Sequence, residues 1–529
     1  MSPAATGTNI QTERTDGIPW RRVFPPLLIV LVALVIHLPR LCAPFGPGEI
    51  NAGTFFGPFV QAWDHFGFVE TRGIPFACSQ YGDPKAASPY LHHPPGAFWI
   101  HWLAGSEEWQ LRLPGLAAML LAALLLYGLV KRLSGPLPAL AAAIALLVAP
   151  VFAVYARVSY EPLVLAAGLA AFTAYEESFR LPQRAQRSLA KCAVLAAVFC
   201  ATWMDWAGFF WAVGLFALVP GKPRADALRL AALALASATL AAASVFVWQV
   251  WAVHAPELAA ARATMDLDSI LNAAVLDAPR ISTTLNSFRE RIAEGFGGAL
   301  PLLALIPGFL MLDKRLARLF LALLIPAVLN VIVFRRNAEV HVFYFAYCTP
   351  AAALLLGCGC LYRARFPAFT LALALLWIVP MGLATNAGQH AASHAFFRDF
   401  GALVDEETRL RDARGCDAGT NKVHTNLPYA YSYYYDSPGV VYASNQAALD
   451  QDLATLDKRA GLRFVQCDIR GTLRDGGSAF RDNPELLRFL EQHASRTTLQ
   501  LKGPIQDPQG LLHIEVSQTR VFRIRDPQP

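Results

Sequence analysis

Two glutamates stand where a hydrophobic stretch of the sequence meets a polar one. Glu49 follows the first hydrophobic stretch by a few residues, and Glu161 opens another, directly before Pro162. A partly buried carboxylate can act as a general base, whereas an exposed one at a helix start only complements the helix dipole. If folding brings both into one cavity, mutual repulsion would make one a base and the other an orienting group. We expect Glu49 to be the base and Glu161 to position a substrate or a cation, and the reverse assignment stays open.

Cationic side chains that could hold a phosphate occur in two places. His92 and His93 precede two prolines, and proline suits the first turn of a helix, where exposed N–H groups attract anions. Later, two adjacent arginines lead into a segment rich in histidine and tyrosine: Arg335, Arg336, His341, Tyr344 and Tyr347. An anionic partner would explain the arginine pair. A phospholipid headgroup would satisfy the arginines equally well, and the two histidines could simply be exposed in a loop.

Asp205 is a third acid, placed two residues after Trp203 and directly before Trp206. Ionisable groups at membrane depth are costly and are usually functional. Tryptophan is also enriched at membrane interfaces, so the motif could mark only the edge of the bilayer. We include Asp205 with the histidines, arginines and tyrosines above as predicted donor-phosphate or substrate-binding residues. No cofactor is assigned, and a divalent cation is kept as an alternative because histidine and arginine could neutralise a phosphate without one.

The elements that must position these residues are membrane-spanning helices. The chain is 55% hydrophobic and only 16% charged, against roughly a quarter charged in ordinary globular domains. Its apolar blocks are about 17 to 25 residues long, enough to cross about 30 Å of hydrocarbon. They predict a mainly α fold with about eleven spans, near 24–41, 114–130, 136–155, 161–177, 188–204, 206–220, 230–253, 296–312, 316–334, 341–361 and 367–386.

The distribution of basic residues predicts the orientation of these spans. Basic residues crowd into alternate loops, at 131–132, 180–191, 222–229, 314–318 and 363–365. By the positive-inside rule, these loops and the 1–23 tail face the cytoplasm. The predicted transmembrane domain is 24–387. Two long loops are predicted on its outer face, the first at 42–113 and the second at 254–295. The net charge of +6 therefore belongs to loops and implies no nucleic-acid partner.

The segment 388–529 is polar and is predicted to form a separate domain. Helical patterns at 394–411 and 483–493 alternate with strand-like runs at 439–442, 462–465, 497–501 and 519–525. We expect a small C-terminal α/β domain on the extracytoplasmic side. Cys416 and Cys467 lie in it, where the compartment permits a disulfide that sequence alone does not establish.

Several short motifs, taken in order, resemble one family of membrane enzymes. They are the acid after the first span, the His-Pro-Pro turn at 93–95, the Glu-Trp-Gln-Leu-Arg-Leu-Pro run at 108–114, the Arg-x-x-x-Glu-Pro-Leu run at 157–163 and the late element that contains His341, Tyr344 and Pro350. Over roughly 24–386 the chain is similar to bacterial glycosyltransferases of the C-type membrane fold, family 39-like. Protein O-mannosyltransferases and lipid A aminoarabinose transferases are members of this group.

The resemblance implies a polyprenyl-phosphate sugar donor and a base in the first loop. Family members usually have Asp-Glu there, with the aspartate as the expected base, where this sequence has Gly48-Glu49. Either Glu49 takes that role after a small backbone shift, or Glu161 does, since it stands where the family commonly has aspartate, or the enzyme is inactive. The aminoarabinose branch usually has lysine where His93 stands, which argues against that specificity.

The residue types suit this chemistry. A sugar phosphate carries a good leaving group, so the site needs a base for the acceptor hydroxyl and cations for the departing phosphate, without a strong general acid. The predicted activity is the transfer of a sugar from a polyprenyl-phosphate donor to an envelope lipid, glycan or protein, with inversion. It would take place on the outer face of the bacterial cytoplasmic membrane, with membrane lipid as a further partner.

Two other classes of protein could carry similar residues. A transporter or flippase would place ionisable groups near the midplane of broken helices, whereas here the charges crowd at the ends of the predicted spans and in the first loop. That position favours an enzyme. A polymerase or ligase of surface polysaccharide, with a polyprenyl-diphosphate donor, would share the same residue types and stays open.

Overall fold

The computed structural model describes residues 20–42, 50–77, 88–152, 157–254, 281–296, 305–310, 312–335, 338 and 342–359, together with strands between 423 and 524. Up to residue 252, the helices are α1 Trp20–His37, α2 Ile50–Phe66, α3 Gly96–Ala104, α4 Glu108–Ser134, α5 Pro136–Val148, α6 Glu161–Ser178, α7 Arg184–Met204, α8 Gly208–Gly214 and α9 Arg224–Ala252. They are followed by α10 Ile281–Phe296, α11 Leu305–Leu310, α12 Lys314–Val333 and α13 Thr349–Gly359. Three stretches are 3₁₀ helices, Leu38–Arg40, Leu215–Leu218 and Val342–Cys348.

Four of the described helices are long and apolar enough to cross a membrane, namely α4, α7, α9 and α12. Shorter apolar helices occupy Val23–His37, Pro136–Val148, Gly208–Leu218 and Phe343–Gly359. Each of these eight coincides with a predicted span, and α6 coincides with a ninth. Only α11 is described within the span predicted near 296–312, and 367–386 lies outside the described residues. The total of about eleven spans therefore stays a prediction.

Two predicted spans differ from the helices found. The span predicted at 136–155 ends as an α-helix at Val148, because Ala149 precedes Pro150 and is extended, as a residue before proline prefers. The span predicted at 341–361 begins as the 3₁₀ helix Val342–Cys348. The predicted first outer loop is itself structured: it contains α2, α3 and a short antiparallel pair, β1 Phe76–Ala77 with β2 Ser88–Pro89.

The helices pack into one bundle around α6. Helix α6 packs against α4 and α7, α7 packs against α9, and α5 packs against α4 and α13. Gly168 permits close packing within this bundle, since a larger side chain there would overlap the ring of Trp211. Leu189, Leu240 and Ile332 are exposed on the outside of the bundle. Apolar exposure of this kind is what lipid-facing helices require.

Ion pairs gather several predicted cytoplasmic loops at one end of the bundle. Arg132, at the end of α4, pairs with Glu177 near the end of α6. Lys222 Nζ lies 2.7 Å from Glu176 Oε2, and Arg318 of α12 donates to the loop that follows the 3₁₀ helix Leu215–Leu218. The alternation of basic loops along the sequence predicts this shared end. Which side of the membrane it faces stays a prediction.

The described part of the C-terminal segment is a mixed β-sheet. Its strands are β3 Val423–Thr425, β4 Val440–Tyr442, β5 Arg463–Gly471, β6 Ala494–Leu499, β7 Ile505–Gln506 and β8 His513–Ile524, in the order β4-β3-β5-β8-β6 with β7 beside β8. Strand β3 is parallel to β4 and β5, and β8 is antiparallel to β5, β6 and β7. The four predicted strand-like runs overlap β4, β5, β6 and β8. Both predicted helices lie outside the described residues, so the α/β class of this domain stays a prediction.

Candidate active site

The centre of the candidate site is a contact between His93 and Asp205, which are 112 residues apart in sequence. His93 Nδ1 lies 2.8 Å from Asp205 Oδ1. Asp205 follows the last residue of α7 and is only 5% exposed, and its Oδ1 also accepts from the backbone N–H of Trp206 at 2.8 Å. The acid predicted at the turn between two spans is therefore turned inward against the His-Pro-Pro loop.

The loop that carries His93 is held in place by main-chain contacts. Trp206 Nε1 donates to the carbonyl oxygen of His92 at 2.8 Å, and Gln249 Nε2 of α9 donates to that of Leu91 at 3.0 Å. A Cβ atom at Gly96 would lie 2.6 Å from the carbonyl oxygen of Trp203. Glycine at position 96 therefore lets the start of α3 approach the end of α7 closely enough for His93 to meet Asp205.

Tyrosine rings fix the plane of the His93 imidazole. The ring of Tyr160 is stacked on it, with centroids 4.5 Å apart and an interplanar angle of 17°. The ring of Tyr90 is near parallel to it at 5.9 Å. Sequence reasoning missed both tyrosines, and the only local signal was the position of Tyr160 directly before Glu161.

Glu161 is the second carboxylate of the site and is 2% exposed. It is the first residue of α6 and is followed by Pro162, as its motif predicts for a helix start. Its carboxylate is near enough to Asp205 for their charges to repel. Within the described part of the chain, Glu161 Oε2 is buried without a hydrogen-bond partner. A buried carboxylate oxygen in this state is suited to receive a hydroxyl or a cation.

The segment before Glu161 is positioned by α4. A side chain at position 115 of α4 would overlap the carbonyl oxygen of Arg157. Because Gly115 has no side chain, the 157–160 segment can lie directly on that helix. Arg157 itself is 3% exposed. Arg157 opens the Arg-x-x-x-Glu-Pro-Leu motif, and the sequence did not predict it as a site residue.

The late segment of the chain completes the cluster. Tyr347 Oη donates to Asp205 Oδ2 at 3.3 Å, and both Tyr344 and Tyr347 are buried. Asn330 Nδ2 of α12 donates to the carbonyl oxygen of Tyr344 at 3.2 Å, which ties the 3₁₀ helix Val342–Cys348 to α12. The structure therefore brings residues from five separate segments together.

The predicted site residues fall into three groups. His93, Glu161, Asp205, Tyr344 and Tyr347 lie in the cluster. His92 is exposed at its edge, where burial of part of the ring and the neighbouring His93 lower its pKa. Arg335 lies two residues after the end of α12 and is half-buried. Glu49, Arg336 and His341 lie outside the described residues, so their place in the site stays a prediction.

The arrangement combines a histidine, two acids and a ring stack. Of the two neighbouring histidines, only His93 contacts Asp205. The described residues contain no group of three or more His, Cys, Asp and Glu side chains able to hold a metal ion. A divalent cation at the site therefore stays an alternative, as it was from the sequence alone.

Comparison with known proteins connects this geometry to a family. Residues 92–251 match the family model described as dolichyl-phosphate-mannose-protein mannosyltransferase. This range contains His93, Glu161 and Asp205. No curated protein sequence matches the chain significantly.

Solved structures share the fold over nearly the whole chain. Apo ArnT from Cupriavidus metallidurans aligns with a TM-score of 0.62 and 14% identity, over 96% of this chain and 100% of that one. ArnT bound to undecaprenyl phosphate aligns with a TM-score of 0.54 and 13% identity, over the same shares. The apo oligosaccharyltransferase of Archaeoglobus fulgidus aligns with a TM-score of 0.50 and 13% identity, over 85% of this chain and 70% of that one.

The fold is that of the C-type glycosyltransferase structures named above, and its apolar helices are those of a multi-pass membrane protein. Over residues 92–251 the chain is also similar to the dolichyl-phosphate-mannose-protein mannosyltransferase family. Both findings agree with the resemblance inferred from the ordered motifs.

Proposed function

We propose that this protein transfers a sugar from a polyprenyl-phosphate carrier to a hydroxyl group of a cell-envelope lipid, glycan or protein. The observation that carries the proposal is the cluster of His93, Asp205 and Glu161, buried where the ends of α6 and α7 meet the first loop. The proposal is also supported by the similar structure of ArnT, which has been crystallised with undecaprenyl phosphate. The matched family is named for a dolichyl-phosphate sugar donor.

The transfer would proceed by direct displacement. The bond from the anomeric carbon to the phosphate oxygen breaks, its electron pair stays on the phosphate, and the acceptor oxygen bonds to the opposite face of the sugar. The configuration is therefore inverted. The acceptor proton passes to a carboxylate, for which we propose Glu49, with Glu161 orienting the acceptor or a cation. His93 offsets the charge that develops on the phosphate, as a preorganised cation does, with Arg335 and Arg336 as further cations.

The location of the cluster favours an enzyme over a transporter or flippase. Asp205 lies at the C-terminal end of α7 and Glu161 at the N-terminal end of α6. Glu177 in the ion-pair end of the bundle is 16 residues further along α6, or about 24 Å at 1.5 Å per residue. The chemically active groups of the described residues therefore lie near one face, whereas transporters concentrate theirs near the midplane.

The outer face of the bacterial cytoplasmic membrane is the proposed location. Sugar carriers on that face would reach the cluster from the lipid. The 388–529 domain would lie on the side from which the acceptor approaches. This assignment is supported by the alternation of basic loops. It is consistent with the ion pairs that collect at the other end of the bundle.

The test begins with the envelope of a strain that lacks the gene. Mass spectrometry of its glycans, lipids and proteins should show the loss of one sugar modification, which complementation with the intact chain restores. The purified full-length protein should then transfer that sugar from its polyprenyl-phosphate form. Complementation by a chain carrying both Glu49→Gln and Glu161→Gln would contradict the proposed chemistry, and accumulation of an untransported lipid-linked sugar would favour the flippase.

A further inference from the structure

Asp205 is held by donors from three separate segments. Its Oδ1 accepts from Trp206 N–H and faces His93 Nδ1, both at 2.8 Å, and its Oδ2 accepts from Tyr347 Oη at 3.3 Å. Both carboxylate oxygens are therefore engaged by the protein, and the residue is only 5% exposed. This makes Asp205 poorly placed to bind a substrate directly, which was its predicted role.

The contact with Asp205 decides which nitrogen of His93 can meet a ligand. A carboxylate only accepts hydrogen bonds, so the shared proton resides on Nδ1. The stack with Tyr160 prevents the ring from turning out of its plane. Nε2 is then the ring nitrogen left for a ligand, and its direction is set by the two contacts together.

We propose that Asp205 is a positioning residue that acts through His93, so that His93 Nε2–H donates to the phosphate of the lipid-linked sugar. The inference rests on the proposed function, because it takes its ligand from there. Asp205 stabilises the imidazolium and holds its orientation while it touches neither the sugar nor the phosphate. During transfer His93 keeps its proton, and the departing phosphate gains only a stronger hydrogen bond.

Other ionisable groups surround this pair and enter any pH dependence. They are His92 on the same loop, Tyr90 and Tyr160 against the ring, and Glu161, Tyr344 and Tyr347 around Asp205. The two carboxylates favour the imidazolium, and a protonated His92 opposes it. Removal of the Asp205 charge should therefore move the pH midpoint of phosphate binding to lower pH.

The experiment is a double-mutant cycle on the full-length protein in lipid nanodiscs, with undecaprenyl phosphate as the probe and undecaprenol as the uncharged reference. Asp205→Asn keeps the shape of the side chain and should weaken undecaprenyl phosphate binding about 10- to 100-fold, by analogy with the loss of a carboxylate behind a metal-bound histidine. In a His93→Ala background the same change should have an effect of less than about twofold. Undecaprenol binding should not change.

A matched control separates this role from a general loss of acidity. Asp64 is exposed on α2 and accepts from Trp102 Nε1 at 3.0 Å, so Asp64→Asn makes the same change in the first outer loop and should leave binding unaltered. Asp205→Glu should restore part of the affinity. The pH midpoint of binding should move down in Asp205→Asn and stay in place in Asp64→Asn.

Three outcomes would overturn the proposal. Equal effects of Asp205→Asn with and without His93 would show that Asp205 acts by itself. Loss of thermal stability in Asp205→Asn, with no shift in the pH midpoint of binding, would make it a purely structural helix-end residue. In ¹⁵N spectra of histidine-labelled wild-type protein, a His93 without a proton on Nδ1 would remove the basis of the pair. Wild-type protein that has this proton but binds no undecaprenyl phosphate at any pH would instead refute the proposed donor.

Discussion

The two carboxylates of the cluster differ in the hydrogen-bond partners that the protein supplies to their oxygens. Asp205 has a partner on each oxygen, while Glu161 Oε2 has none among the described residues. A buried charge without a partner is destabilising unless a ligand or another group completes it. This difference supports the proposal that Asp205 belongs to the protein scaffold and that Glu161 meets the reacting molecules.

The base is tested by paired substitutions of the two glutamates. Glu49→Gln keeps the shape of the side chain and removes its basicity, so donor binding should persist while transfer falls about 10²- to 10⁴-fold, the usual contribution of a positioned base. Glu161→Gln should instead raise the acceptor KM or weaken cation binding. Glu70 is exposed in the first outer loop, and Glu70→Gln should behave as wild type. Near-normal turnover of Glu49→Gln, beside an inactive Glu161→Gln, would reverse the two roles.

The arginine pair is tested at the donor. Arg335 lies two residues after the end of α12, next to Phe334, whose ring centroid is 6.2 Å from that of Tyr344 in the cluster. If Arg335 and Arg336 contribute cations for the phosphate, Arg336→Ala should raise the donor KM or abolish turnover while expression is unchanged. Unchanged kinetics in both Arg335→Ala and Arg336→Ala would assign the pair to lipid headgroups.

At the scale of elements, glycines decide how closely the site-bearing segments approach. Gly96 lets the His-Pro-Pro loop lie on the end of α7, and Gly115 lets the 157–160 segment lie on α4. In both places the neighbour is a backbone carbonyl, which cannot rotate away as a side chain can. The positions of His93 and of the segment that carries Tyr160 therefore depend on two residues that carry no chemistry themselves.

Gly96→Ala should separate the start of α3 from the end of α7 without unfolding the bundle. The added methyl would lie 2.6 Å from the Trp203 carbonyl oxygen, so α3 must move, and undecaprenyl phosphate binding and transfer should both fall about tenfold or more. Gly128 in α4 has nothing near its missing Cβ. Gly128→Ala should keep full activity and gain about 0.5–1 kcal/mol of stability from helix propensity. Equal activity of the two variants in a transfer assay would refute this account of Gly96.

At the scale of the whole molecule, the bundle has two chemically different ends. One has the ion pairs of Glu176 and Glu177 with basic loop residues, and the other has the buried cluster. Such an asymmetry suits a protein whose orientation in the membrane is set by basic loops. It would also keep the proposed reaction on one face.

The orientation can be tested with fusions to a reporter that is active only in the cytoplasm. A reporter fused after residue 529 should be inactive, because 388–529 is predicted to be extracytoplasmic, and one fused within the basic loop at 363–365 should be active. The internal fusion is the matched control for expression. Activity of the C-terminal fusion would invert the predicted topology.

Local properties of the sequence determined the membrane-spanning class, most helix positions and the individual residues worth testing. Hydrophobic blocks and proline positions are local, so they predict α4, α7, α9 and α12 and the start of α6 at Glu161. The helix bounds were less accurate, as the early end of α5 shows. The ordered motifs also indicated the resemblance with which the family model over residues 92–251 agrees.

Only the tertiary structure decided how these residues pair. His93 meets Asp205 across 112 residues, and Tyr347 reaches it across 142. The stack of Tyr160 on His93 likewise requires the start of α6 to lie beside the His-Pro-Pro loop. Such contacts follow from the packing of α3, α4, α6 and α7 and from close approaches at single glycines, and no local periodicity encodes them. The contacts from which we propose that Asp205 positions His93, in place of its predicted role as a substrate ligand, are therefore visible only in three dimensions.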